Sequence, residues 1–131
     1  MEIVFVDDSP TTLAILRSLS AKIEGATAQT FADPVQALTH LESHPADLVI
    51  ADYSMPNMTG IELIKRVRAT ALHADTPIIM VTSSSEKAVH NRACEVGATA
   101  FLSKPVNAQE FKDCIKRHLG STHRTATLPA A

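Results

Sequence analysis

The residues able to do chemistry in this chain are few and far apart. Asp7-Asp8 close one apolar run, Asp52 closes another, Thr82 a third, and Lys104 follows a short fourth. Asp52 sits in the most informative stretch, Leu48-Val49-Ile50-Ala51-Asp52-Tyr53-Ser54-Met55-Pro56-Asn57-Met58-Thr59-Gly60. There a β-prone run ends abruptly in a carboxylate and turn residues follow. Singly, each residue has a structural explanation: a helix cap, a turn or a solvated charge. Together they imply a site. Three carboxylates packed at ~4 Å repel by about 4 kcal/mol per pair at an effective dielectric near 20. That exceeds the roughly 1 kcal/mol a helix cap returns, and Lys104 offsets only part of it. Such a pocket suits a hard divalent cation held by oxygen ligands, Mg²⁺ being the usual choice. A cation, the Lys104 ammonium and the Thr82 hydroxyl then cradle a phosphoryl group, with Asp52 as the nucleophile that forms an aspartyl phosphate.

These groups meet only if the fold gathers them. Residues 2–6 read as a strand. Ser9 and Pro10 open a helix as N-cap and first residue, with Thr12, Ile15, Leu16, Leu19 and Ile23 inward, Leu13 exposed, and an end near Gly25. A weaker strand spans 26–31. Asp33-Pro34 start a helix with Val35, Leu38 and Leu41 inward, stopped by His44-Pro45. Residues 47–51 form the strand that ends at Asp52. Ile61, Ile64 and Val67 mark the next helix, with Lys65, Arg66 and Arg68 toward solvent. Residues 77–81 are a strand running into Thr82-Ser83-Ser84-Ser85. A helix through Ala88, Val89, Ala93 and Val96 stops at Gly97. Residues 99–102 are a short strand before Ser103-Lys104-Pro105, and Phe111, Cys114, Ile115 and Leu119 mark the last helix. Alternating strands and helices imply an α/β fold, a parallel sheet covered on both faces. Right-handed crossovers put all carboxyl ends of the strands on one edge, where open α/β sheets bind ligands.

Composition narrows the classes. A chain of 131 residues, 45% hydrophobic, fits one globular domain. A net charge of −2 argues against direct nucleic-acid or membrane binding. No run approaches the ~20 apolar residues of a membrane span, and the N-terminus does not read as a signal peptide, so a cytoplasmic location is expected. Cys94 and Cys114 read as buried free thiols. Of the six histidines only His40 and His44 have ligand spacing, and no third ligand accompanies them.

The acidic pair Asp7-Asp8, Asp52 within Asp-Tyr-Ser-Met-Pro-Asn-Met-Thr-Gly, Thr82, and Lys104-Pro105 stand in the order and spacing of a known family. The chain resembles the receiver domains of two-component response regulators (CheY-like) over about residues 1–119. The resemblance implies a flavodoxin-like (βα)5 three-layer sandwich with strand order 2-1-3-4-5. It implies that Asp52 accepts phosphate from a histidine kinase or phosphotransfer protein, and that the domain catalyses its own phosphorylation and dephosphorylation. Asp8 would hold Mg²⁺ directly, Asp7 through water, with Asp52 and the Ser54 backbone carbonyl as further ligands. Lys104 would contact the phosphate, with a cis bond to Pro105. Thr82 would swing toward the phosphoryl oxygens and Phe101 would turn inward with it, as the aromatic switch. Ser54 and Ser84 match positions that tune phosphate lifetime. The fourth helix, fifth strand and fifth helix would carry the output to an attached domain or a partner protein, with a dimer left open. The start of the first helix, including Leu13, would help dock the kinase.

Two other classes compete. A haloacid-dehalogenase-like phosphatase also uses a strand-end Asp, Mg²⁺, Thr and Lys, but wants Asp-x-Asp after the first strand, where this chain has Asp7-Asp8-Ser9. A phosphate-independent binding module on the same fold is opposed by the full set Asp7, Asp8, Asp52, Thr82 and Lys104. A nucleotide fold lacks its Gly-rich fingerprint. Residues 120–131, small and polar, read as a flexible tail or the start of a linker to an output domain. That suits both a stand-alone receiver and a piece of a longer regulator.

Overall fold

Four short apolar runs and one more polar segment, Thr27–Phe31, pair into one parallel sheet. A computed structural model describes residues 1–83 and 85–127, with side chains through residue 118. The strands are β1 (Glu2–Val6), β2 (Thr27–Phe31), β3 (Leu48–Asp52), β4 (Ile78–Thr82) and β5 (Ala100–Ser103). Their order is β2-β1-β3-β4-β5, the flavodoxin-like arrangement expected. Each strand is followed by a helix: α1 (Pro10–Ser20), α2 (Pro34–Ser43), α3 (Gly60–Arg68), α4 (Lys87–Val96) and α5 (Ala108–Thr127). A 3-10 turn, Ala71–His73, lies between α3 and β4.

The central strands β3 and β4 are buried along their whole length. This is why they read as unbroken apolar runs: helices cover both faces of a parallel sheet. Alternate residues feed two cores. Val4, Val6, Val49, Ala51, Ile78 and Met80 face α2, α3 and α4. Ile3, Phe5, Leu48, Ile50, Ile79 and Val81 face α1 and α5, where Phe5 stacks on Phe111 with centroids 6.3 Å apart. Two caps form as expected: Ser9 Oγ accepts from the Thr12 amide at 3.3 Å and Asp33 Oδ1 from Val35 at 3.0 Å. A third, Thr59 Oγ1 accepting from Glu62 at 3.2 Å, opens α3 without having been singled out in the sequence.

Several helix faces differ from expectation. Ile15 is 47% exposed, whereas Leu13 is half-buried against the α1/α5 core. Neighbouring residues lie about 100° apart around a helix. The inward row is therefore Leu13, Leu16 and Ser20, while Ile15 overlooks an open groove of about 380 Å³ beside Pro105 and Val106. Val35 is likewise exposed, outside the Pro34, Ala37, Leu41 row. Cys94 is exposed, one step round from buried Ala93; Cys114 is buried, and both are free thiols. Arg68 turns inward rather than to solvent (below). Helix α1 stops at Ser20, short of Gly25, which takes φ 82° in the turn to β2. Helix α5 runs to Thr127, past Gly120, where the sequence suggests a tail. A glycine costs a helix only about 1 kcal/mol, too little to end one already nucleated on a packed face. Residues 128–131 lie outside the described residues. The His40 and His44 rings stack 4.3 Å apart, and no third metal-ligating group joins them among the described residues. No described helix is long and apolar enough to cross a membrane.

Candidate functional site

Four of the five strands, β1, β3, β4 and β5, deliver one piece of the site at or just past their carboxyl ends; β2 delivers none. Asp7 leaves β1 with its amide bonded to Phe31 O at 3.1 Å, and its Oδ1 accepts from the Ser9 amide at 2.8 Å. Asp8 is exposed beside it. Asp52 is the last residue of β3 and only 5% exposed. Its position is fixed by the loop behind it. Tyr53 donates to Val81 O at 2.9 Å, and the Gly60 amide donates to Tyr53 O at 2.8 Å. This closure requires glycine. A Cβ on Gly60 would lie 2.5 Å from Asp52 O and 2.9 Å from Tyr53 Cα, both backbone atoms. The turn also places Asn57 at φ 72°, which asparagine tolerates better than most residues.

Lys104 comes from the end of β5. Its amide donates to Thr82 O at 3.1 Å, and its peptide bond to Pro105 is cis. Its Nζ lies 3.1 Å from Asp7 Oδ2 and 3.2 Å from Asp52 Oδ1. One ammonium thus bridges two buried carboxylates. Asp7, Asp8 and Asp52 each offer an oxygen, all within 4.8 Å of one another. Asp7 Oδ2 is fully buried and has no partner of hydrogen-bond geometry, only the ion-pair contact with Lys104. Three carboxylates facing one ammonium, one of their oxygens lacking a hydrogen bond, fit a divalent cation with oxygen ligands.

The electrostatics record the crowding. The Asp52 carboxyl is pushed above the ordinary carboxylate value of 3.8, first by burial and then by the Asp7 charge. The Lys104 ammonium and the Ser54 amide pull the other way and do not prevail. For Lys104, burial alone would lower the ammonium. The close ion-pair contacts with Asp7 and Asp52 outweigh it and raise the value.

Thr82, at the end of β4, is buried, and Val81 pairs with Asp52 in the sheet register, so Thr82 stands one residue beyond it. Ser54 is exposed at the mouth of the site. Ser84 lies outside the described residues. Phe101 is half-buried on β5, and its ring stacks on His90 of α4 with centroids 4.3 Å apart and planes 9° apart. Sequence reasoning missed this His90 contact. Nothing in the spacing of residues 90 and 101 signals a pairing between a helix and the following strand. Arg68 was missed for a similar reason, since its partners are backbone carbonyls.

A doubly covered parallel sheet that collects acids, a hydroxyl and an ammonium at one strand edge defines a receiver module. The chain belongs to the response regulator receiver domain family, whose model matches residues 3–116. It is 34% identical over 113 residues to the cyclic di-GMP phosphodiesterase response regulator RpfG of Xanthomonas campestris. That match covers 86% of this chain and only 30% of that protein. It is 32% identical to the chemotaxis protein CheY of Pseudomonas aeruginosa, over 89% of this chain and 94% of that one. The structure of the chemotaxis protein CheY4 of Vibrio cholerae superposes with a TM-score of 0.84 at 31% identity, covering 89% of this chain and 97% of its own.

Proposed function

We propose that this chain is a phosphorylation-dependent signalling switch that takes a phosphoryl group on Asp52. The donor is a phosphohistidine of a kinase or phosphotransfer protein, or a small acyl phosphate. An Asp52 oxygen attacks phosphorus in line. The new P–O bond forms as the bond to the donor breaks, and the leaving imidazole nitrogen keeps the electron pair and takes up a proton. Lys104 neutralises phosphoryl oxygens as charge builds, and the Thr82 hydroxyl donates to one of them. Water attacking the same phosphorus later returns Asp52 to its free carboxylate. Mg²⁺, held by Asp7, Asp8, Asp52 and the Ser54 carbonyl, would supply the positive charge that lets the crowded acids and an incoming phosphate coexist. Ser54 and Ser84 would govern how readily water reaches the acyl phosphate.

The single observation that carries this reading is the bridge from Lys104 to Asp7 and Asp52 at 3.1 and 3.2 Å, inside a cluster of three acids. The response would be a population shift: the protein samples resting and active conformers, and the phosphoryl group favours the second. Thr82 and Phe101 would couple the site to an output face built from α4, β5 and α5, read by an attached domain or a partner protein in the cytoplasm. With Leu13 half-buried, exposed Ile15 becomes the apolar residue of α1 available to a docking kinase. The test is incubation with Mg²⁺ and acetyl phosphate, followed by mapping of the acyl phosphate. Label on Asp52, lost in Asp52→Asn, is expected. Label on Asp7, or none, would overturn the reading.

A further inference from the structure

The last turns of α2 hold a group of rings that the site does not use. His40 packs against Phe31, the last residue of β2, with centroids 5.0 Å apart and planes 43° apart. One turn on, the His44 ring stacks on it at 4.3 Å and 3°. His40 Nε2 is buried and has no hydrogen-bond partner. A neutral ring can carry its proton on Nδ1 and leave only a lone pair there. A protonated ring must point a charged N–H at a place with no acceptor. The groups around the ring act in the same direction. Burial disfavours the cation first, His44 on the same helix and His73 of the 3-10 turn add to it, and Glu2 of β1 opposes them without prevailing. Asp47 is committed elsewhere, its Oδ2 accepting from the Glu2 amide at 2.6 Å. His73 is fully buried; its Nε2 donates to His44 O and its Nδ1 accepts from Thr76 Oγ1, both at 3.0 Å. Beside it Arg68, which also serves the carbonyls of Thr76 and Gly97, donates to His73 O at 2.9 Å. The stack leads to the site. Phe31 O accepts from the Asp7 amide at 3.1 Å, so the residue whose ring rests on His40 also places a site carboxylate.

We propose that Phe31, His40 and His44 form a proton-released latch on the acidic site: the neutral His40 ring holds Phe31, whose carbonyl fixes Asp7, and protonation in mild acid frees both. The latch stands apart from the functional reading above; its effect on phosphate acceptance rests on that reading. The sign follows from linkage. The folded protein takes up the His40 proton only below the ordinary value of 6.5. The latch is therefore complete above 6.5 and weakens as pH falls through the lower folded-state value. The charged ring finds water by moving outward. That takes it off Phe31 and opens the last turn of α2, where the His44 amide donates to His40 O at 3.0 Å. Phe31 ends an edge strand bonded, among the described residues, to β1 alone, so what packs on its ring bears on where its carbonyl sits.

Amide hydrogen exchange on the metal-free full chain, corrected for the intrinsic effect of pH, tests the latch. From pH ~7.5 to ~5 the wild type should lose protection at two reporters, the His44 amide on His40 O and the Asp7 amide on Phe31 O. The loss should be roughly tenfold for each unit by which the His40 midpoint, read from its ring proton by NMR, lies below 6.5. His40→Phe keeps an aromatic ring on Phe31 without a titrating nitrogen, and His40→Leu is a second variant if Phe packs poorly. In either, both amides should hold their protection over that range. A His40 midpoint at or above 6.5, unchanged protection in the wild type, or an Asp7 amide that responds equally in the variants overturns the latch. A response confined to His44 overturns its link to the site. With Mg²⁺ and acetyl phosphate, labelling of Asp52 should fall in acid more steeply in the wild type than in the variants. Equal pH profiles overturn the effect on phosphate acceptance. If Asp52 takes no label at any pH while the two amides respond, the functional reading fails and the latch stands.

Discussion

Replacing Asp52 with Asn should stabilise the metal-free protein. The carboxylate gains about 5 kcal/mol from Lys104 at 3.2 Å and loses about 3.5 kcal/mol or more to Asp7 within 4.8 Å, at an effective dielectric near 20. Exposed Asp8 adds repulsion of about 1 kcal/mol, the value for charges screened by water. These terms nearly cancel, so desolvation of a side chain only 5% exposed decides the sign. The raised carboxyl, with burial its leading cause, points the same way. Because the site opens to water at Asp8, the net gain for Asn is about 1 kcal/mol, or roughly 3–6 °C in melting temperature. The pH dependence follows from linkage. A raised folded-state value means that the folded protein binds the extra proton, so wild-type stability falls as pH climbs from 3.8 through the raised value. The Asn advantage should therefore be full at pH ~7.5 and vanish below the ordinary carboxylate value. Urea unfolding followed by far-UV circular dichroism in chelator, at both pH values, measures it. Mg²⁺ should then stabilise the wild type more than the variant, which has lost a ligand. An Asn variant less stable at neutral pH in chelator, or an advantage undiminished in acid, would refute the reasoning.

Asp8→Ala should weaken Mg²⁺ binding, read by calorimetric titration, yet melt above the wild type in chelator because it relieves the same repulsion. Lys104→Met leaves two buried carboxylates without their ammonium; a loss of about 3–5 kcal/mol on unfolding is expected, partly restored by Mg²⁺. Wild-type stability should fall in alkali, since the raised Lys104 contributes fully below 10.5 and its contribution disappears as pH passes its higher folded-state value. Gly60→Ala forces a methyl against the backbone at Asp52 and Tyr53. It should cost about 1–3 kcal/mol in denaturant melts and slow labelling of Asp52 by acetyl phosphate.

The central strands were legible because strands buried on both faces announce themselves as aliphatic runs, and the site because four of the runs stop at an ionisable or hydroxyl residue; β2, more polar and more exposed, contributes none. Topology then does the gathering: once the crossovers share one hand, Asp7, Asp52 and Lys104 must arrive at one edge. Helix faces were read less well. Ile15, Val35 and Cys94 sit a single 100° step from the buried row, and hydrophobicity alone cannot tell a residue facing the sheet from one flanking an open groove. Arg68 looked solvent-bound because its composition says cation, while its environment is a ring of carbonyls contributed by loops up to Gly97. The contact between His90 and Phe101 depends on how α4 lies across β5, an angle fixed by packing and by no local pattern. The passage of α5 through Gly120 shows that a breaker's penalty is small beside the cooperativity of a helix already anchored by Phe111, Cys114 and Ile115.

β5 is one of the two edge strands, bonded to β4 on one flank and, among the described residues, to no strand on the other. Its four residues carry Phe101 and lead directly to Lys104. Asp7, Asp52 and Thr82 thus leave interior strands, where a doubly tethered backbone holds them still, while Lys104 reaches the acids from the edge. Phe101, stacked on His90 of α4, sits at the same margin, on a backbone with only one ladder to respect. Rigidity and compliance are separated by the width of a single strand.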